Sequence, residues 1–309
     1  MGSPDFALPT LSHLASLYNL VGVITQPDRP AGRGRKEQPC EVKKLADELG
    51  LPTFQPKSMK KAESIARLAE WEPELIVVAA FGQILPKAVL DMPKFGCLNV
   101  HASLLPAWRG ASPIQAAIAN GDRQSGVTIM LMNEGLDTGD ILAQAQMPIK
   151  PGMTAGELSD KLAIQGAKTL VEILPDYLAA RIVPLPQDEE IATYAPKLSK
   201  EDGLLDFNLP ARLLLNKINA YNPWPGAVYQ WNGKRLKILS GHFAEAENCE
   251  PGSRLIVDGL PGSRLIVDGL PAICTGEGLL VLDHVQADGK KPLPSKTFLN
   301  GAKDWVSGS

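Results

Sequence analysis

Asn99 and His101 stand two positions apart in the run Leu98-Asn-Val-His-Ala-Ser-Leu-Leu-Pro106. Alternate side chains of an extended strand point to one face, so the amide and the imidazole would project together. An amide donor beside an imidazole suits polarising a carbonyl and holding the oxyanion of a tetrahedral intermediate. The plainer alternative is that both residues end a strand and hydrogen-bond the next turn. Asp137, in the glycine-flanked stretch Asn133-Glu-Gly-Leu-Asp-Thr-Gly-Asp140, is an acid that could orient such a histidine and raise its pKa. Taken alone, it reads equally as a solvated turn former. Ser103 lies near His101, but no G-x-S-x-G elbow supports a hydrolase dyad.

A second cluster is Gln26-Pro-Asp-Arg-Pro-Ala-Gly-Arg-Gly-Arg-Lys36. It gathers the cations Arg29, Arg33, Arg35 and Lys36 among prolines that stiffen the chain and glycines that let a partner come close, which suits phosphate contact. A solvated surface loop is the alternative. Neither G-x-G-x-x-G nor G-x-x-x-x-G-K-[ST] occurs, which disfavours a dinucleotide or nucleoside-triphosphate enzyme. Cys40, Cys97, Cys249 and Cys274 make no C-x-x-C pair and lack zinc spacing, so no metal and a reducing compartment are expected.

Such residues need elements to hold them. Apolar runs at 20–25, 75–80 and 96–101 alternate with amphipathic stretches at 41–49 and 62–71, a βα pattern that predicts an α/β fold with a doubly wound, mostly parallel sheet. Ser112-Pro113 and the capping box Thr154-x-x-Glu157 mark helix starts, the second helix running to about Ala180. The polar, proline-bearing stretch from Pro184 reads as a linker. Beyond it, Val228–Trp231, the Asn232-Gly233 turn and Arg235–Leu239 predict a hairpin within a small β-barrel. The expected division is a catalytic domain at 1–183, a linker at 184–200 and a C-terminal domain at 201–309. Two features stand apart. Residues 251–260 recur unchanged at 261–270, and Met1-Gly-Ser-Pro-Asp-Phe reads like the loop after a strand that is itself missing.

The 309 residues carry a formal net charge of −3, with 44% hydrophobic and 21% charged residues, which excludes global disorder and a generally basic nucleic-acid binder. No apolar run reaches about 18 residues and no signal-peptide pattern opens the chain, so no membrane or secretory role is expected.

Asn99-x-His101, Ser103-Leu-Leu-Pro106, Trp108-Arg-Gly-Ala-Ser-Pro-Ile-Gln115 and Leu136-Asp-Thr-Gly139 together resemble the formyltransferases that use 10-formyltetrahydrofolate. Gln26–Gly34 and Tyr221-Asn-Pro-Trp-Pro-Gly226 resemble the branch whose acceptor is methionyl-tRNA, and the similarity covers nearly the whole chain. The resemblance implies a formyltransferase-like Rossmann-type domain followed by an OB-like barrel that contacts tRNA. It implies 10-formyltetrahydrofolate as co-substrate, initiator methionyl-tRNA as partner, no membrane or protein partner, and a role in translation initiation in a bacterial-type cytoplasm, with an organelle left open. By position, Asn99, His101 and Asp137 fall on the catalytic triad, with His101 protonated. Ser103, Leu104, Leu105 and Pro106 fall on the folate-binding segment, and Arg33, with Arg29, Arg35 and Lys36 around it, on the loop that meets the acceptor stem. A formyltransferase for a sugar nucleotide or glycinamide ribonucleotide would share the triad without needing the basic loop. A non-catalytic tRNA-binding module is opposed by the intact triad. Ala107 stands where the family often has a basic residue, and the segment from Glu201 holds 12 acids against 11 bases, so tRNA contact there rests on clusters such as Lys234-Arg235-x-Lys237 and Lys290-Lys291.

Overall fold

The computed structural model describes residues 1–31, 36–246 and 262–306. In chain order its elements are α1 (Leu8–Leu17), β1 (Val23–Ile24), β2 (Arg29–Ala31), β3 (Lys36–Gln38), α2 (Glu41–Glu48), β4 (Thr53–Phe54), α3 (Ala62–Ala69), β5 (Ile76–Val78), α4 (Lys87–Leu90), β6 (Cys97–His101), β7 (Arg109–Gly110), α5 (Pro113–Asn120), β8 (Gln124–Leu131), β9 (Ile141–Pro148), α6 (Ala155–Leu178) and β10 (Tyr194–Ala195). There follow α7 (Ala211–Ala220), β11 (Ala227–Trp231), β12 (Lys234–Ala244), β13 (Arg264–Val267), β14 (Leu270–Cys274), β15 (Leu279–Ala287), β16 (Leu293–Pro294) and α8 (Ser295–Gly301). The chain forms two compact units, one of Met1–Pro113, Gln124–Pro148 and Glu157–Pro196, the other of Ile114–Arg123, Ile149–Gly156 and Lys197–Ser309.

In the first unit β5 and β6 pair in parallel, β6 pairs antiparallel with β8, and β8 antiparallel with β9. The sheet is therefore mixed, which corrects the expectation of a mostly parallel one. The reason is local: only Met132–Asp140 joins β8 to β9, whereas a parallel return needs a crossover of about a dozen residues or more. Every residue of β6 is buried, as a strand covered on both faces requires. Gly166 of α6 permits close approach to this strand, since a Cβ there would lie 2.5 Å from Val100 Cγ1.

On the other side β1 and β4 pair in parallel. Met1 and Gly2 reach between β1 and β5: Gly2 N–H donates to Ile24 O at 3.0 Å, Ala79 N–H to Met1 O at 2.9 Å, and the Met1 ammonium to Val77 O at 2.5 Å. Two residues thus stand at one end of a strand position. β2 and β3 form a two-stranded ribbon whose tip, 32–35, lies outside the described residues.

The second unit is built on an antiparallel sheet in the order β11-β12-β15-β14-β13, with β16 beside β15. The hairpin at Asn232-Gly233 is as the sequence predicts: both residues have positive φ, 49° and 70°, and Trp231 pairs Lys234 across a two-residue loop. The core gathers Trp231, Phe298 and Trp305, and Trp305 Nε1–H donates to Leu265 O at 2.8 Å. Among the described residues the sheet is open, with β11 and β13 at its edges, so it is an antiparallel sheet and no closed barrel is seen. Residues 247–261, which include the first decapeptide, lie outside the described residues, and β13 comes from the second copy. No described helix is long and apolar enough to cross a membrane.

Candidate active site

Asn99 and His101 occupy alternate positions at the carboxyl end of β6, where open α/β sheets bind ligands. Both are buried. His101 pairs Thr128 across the antiparallel β8, and Asn99 lies between Val78 and Met130. Among the described residues the Asn99 carboxamide has no hydrogen-bond partner, and it is 9% exposed, so its donors stay free for an oxygen that enters the site.

Asp137 comes to His101 from the β8–β9 loop. Its Oδ2 lies 3.7 Å from His101 Nδ1, too long for a hydrogen bond but close enough for charge to act. The same oxygen accepts Gly110 N–H at 2.8 Å. His101 Nε2 faces the Trp108 carbonyl at 3.1 Å. Burial pushes the His101 pKa below its ordinary value, against the upward pull of the Asp137 carboxylate and the Trp108 carbonyl. Desolvation thus works against the protonated ring that the resemblance implies, while the Asp137 carboxylate, held beyond bonding distance, works for it.

The segment after β6 is pinned by groups that spacing alone did not single out. Thr128 Oγ1 donates to Ser103 O at 2.7 Å and accepts Leu105 N–H at 3.0 Å. Gln144 Nε2 donates to Leu105 O at 2.8 Å. Ser103 Oγ donates to Ala107 O at 2.6 Å, and Pro106 O accepts Thr193 N–H at 3.2 Å. Leu105 is buried, while Leu104 and Pro106 are partly exposed beside the site. Thr128 and Gln144 face each other across β8 and β9, so their sequence signal is a register that only the antiparallel pairing creates.

The stretch read as a linker makes specific contacts. β10 pairs with β7, and Arg109, whose side chain is fully buried, is held by Gln187 and Glu189. Of the predicted phosphate-contacting residues, Arg29 lies on β2 with its guanidinium on Gln26 Oε1, and Lys36 begins β3. Arg33 and Arg35 lie outside the described residues, and none of the four is brought to Asn99 and His101 by a described contact. No group of three or more His, Cys, Asp or Glu that could hold a metal ion occurs among the described residues.

Comparison with known proteins places these observations. Residues 10–174 match the formyl transferase family, and residues 197–303 match the formyl transferase C-terminal domain. The chain is 44% identical over 307 residues, 99% of its length and 94% of the relative's, to a methionyl-tRNA formyltransferase of Pseudoalteromonas translucida (strain TAC 125). Its fold is similar to an N-formyltransferase from Helicobacter canadensis solved with folinic acid and dTDP-3-aminofucose, with TM-score 0.61, 16% identity, and 91% and 97% of the two chains covered. It is also similar to a methionyl-tRNA formyltransferase from Clostridium thermocellum, with TM-score 0.50, 20% identity, and 66% and 87% covered. With both domains matched in order and one relative aligned from end to end, the chain belongs to the formyl transferase family.

Proposed function

We propose that this protein transfers the formyl group of 10-formyltetrahydrofolate to the α-amino group of initiator methionyl-tRNA. The observation that carries the acceptor is the 44% identity over 99% of the chain to a methionyl-tRNA formyltransferase. The chemistry rests on the Asn99, His101 and Asp137 constellation. The Asn99 carboxamide donates to the oxygen of the formyl group as negative charge develops on it. Neutral His101 takes the proton that the attacking amine sheds as the new C–N bond forms, and returns it to the folate N10 as the old C–N bond breaks. Asp137 steadies the transient imidazolium. For His101 to act, the incoming groups must replace the Trp108 carbonyl at Nε2.

The segment Ser103, Leu104, Leu105 and Pro106 borders the folate, its backbone fixed by Thr128 and Gln144. Arg29, Arg33, Arg35 and Lys36 meet tRNA phosphates, and the C-terminal sheet, as part of an OB-like barrel, contacts the tRNA elsewhere. Initiation of translation places the reaction in the cytoplasm.

The likeness to a fold relative solved with an amino sugar nucleotide favours one second reading, a sugar amine as acceptor. Formyl transfer measured with methionyl-tRNA, free methionine and dTDP-3-aminofucose separates the two. Efficient transfer to methionyl-tRNA alone is expected, and preference for the sugar would overturn the assignment.

A further inference from the structure

Asp137 has φ of 52°, a left-handed backbone that a non-glycine residue adopts at a cost, so its turn needs outside support. That support comes from Gln187. Its Nε2 donates to Asp137 O at 2.8 Å and to Gly139 O at 2.7 Å, bracketing the turn. Its Oε1 accepts Arg109 Nε–H at 3.0 Å. The Arg109 guanidinium is clamped by Glu189 through two bonds of 2.8 and 2.7 Å, and Gly110 N–H, one residue on, donates to Asp137 Oδ2 at 2.8 Å. The contacts close a ring from Asp137 main chain to Gln187, Arg109, Gly110 and the Asp137 carboxylate. The backbone of the Trp108–Gly110 loop is tied to the same stretch, since Trp108 N–H donates to Thr193 Oγ1 and Arg109 N–H to Thr193 O, both at 2.8 Å.

We infer that Gln187 is a positioning residue for formyl transfer, its carboxamide holding the Asp137 turn where the carboxylate faces His101. This rests on the catalytic reading of Asn99, His101 and Asp137 given above. Gln187 touches no reacting atom and works through Asp137. The segment from Pro184 to Ala195 is therefore part of the active-site scaffold.

Three variants test this together: Q187E, Q187A and D137N. Q187E keeps an oxygen for Arg109 and adds a charge that strengthens that contact, but it cannot donate to the two turn carbonyls. A role confined to supporting Arg109 would leave Q187E active and Q187A impaired. A role through the Asp137 turn makes both lose kcat, roughly tenfold or more, since small misplacements at a reacting centre are costly. KM for tRNA and folate should stay near the parent values. Asp137 is the charged group acting on the His101 ring and raises its pKa, so moving it away shifts the His101-governed limb of the kcat–pH profile to lower pH. An active Q187E, or an unshifted pH profile in both Gln187 variants, overturns the inference. Should Q187E fail to fold, the kcat–pH profile of Q187A decides: a His101-governed limb moved to lower pH supports the positioning role, and an unmoved limb overturns it. Full kcat in D137N would sink the catalytic reading itself, whereas a loss in D137N with none in the Gln187 variants would sink the positioning role alone.

Discussion

At His101 both ring nitrogens face acceptors, the Asp137 carboxylate and the Trp108 carbonyl, yet burial holds the pKa below the ordinary value near 6.5. A ring of lowered pKa is a poor standing cation, and the Asp137 carboxylate is the group that favours its protonated form when substrate brings an acidified amine to it. The same shift links stability to pH. The unfolded chain takes up the proton at the ordinary value and the folded chain only at a lower one, so the contribution is complete above that value and is lost as pH falls through the folded pKa. Thermal melts at pH 7.5 and 5.5 should therefore differ less for His101→Gln than for the parent, and an unchanged difference would show that His101 is not buried neutral. Asn99 makes a separate claim. Its carboxamide is buried with free donors, so Asn99→Ala should leave the melting temperature nearly unaltered while kcat falls roughly 10²–10³-fold, the usual loss of one oxyanion donor. Near-parent turnover from folded Asn99→Ala would remove the amide from the mechanism.

Among the elements, those that carry their own signal were legible. β6 sets Cys97, Leu98 and Val100 around Asn99 and His101, α6 opens at Thr154-x-x-Glu157, and the Asn232-Gly233 hairpin follows from two residues that tolerate positive φ. What stayed hidden depends on partners far along the chain. β9 alternates half-buried and exposed residues as an edge strand does, and only the shortness of Met132–Asp140, not the residues of β9 itself, says that it returns antiparallel. The stretch from Pro184 has the composition of a solvated linker, and partners far along the chain, the buried Arg109 and the Asp137 turn among them, make it a scaffold. A cavity of 390 Å³ is bordered by Leu14, Gly22, Val23, Trp71, Ile76 and Val77. Residues of β1 and β5 line it together with residues of α1, α3 and α6, and Met1 and Gly2 bond to the β1 and β5 segments. The Met1 ammonium is buried there and pushed down to about 6, a position an amide would occupy without that penalty. A strand should fit this cavity. Fusing about five β-branched residues ahead of Met1 should raise the melting temperature by at least roughly 5 °C, because burying two or three such side chains contributes several kcal/mol. No gain in the fused chain would mean that the cavity does not accept a strand.

Over the whole molecule the formal charge is −3, so recognition of a polyanion has to be local, and the decapeptide at 251–260 recurs at 261–270. Its two copies are identical, and deleting 251–260 or 261–270 therefore yields one and the same chain. The second copy supplies β13, which pairs Arg264 with Ile273 and Val267 with Leu270 around Asp268 and Gly269, both at positive φ. Leu265 O also receives the Trp305 indole N–H. After the deletion the remaining Pro-Gly-Ser-Arg-Leu-Ile-Val-Asp-Gly-Leu still runs directly into Pro271, so the strand, its turn and its bond to Trp305 can all form from the same local sequence. The prediction is that removing ten residues leaves kcat and KM for methionyl-tRNA within about twofold and the melting transition single and no lower. It should be checked by steady-state kinetics and calorimetry on the shortened chain. A C-terminal unit that melts earlier or separately in that chain would mean that the first copy also carries structure, and that the duplication has become part of the fold.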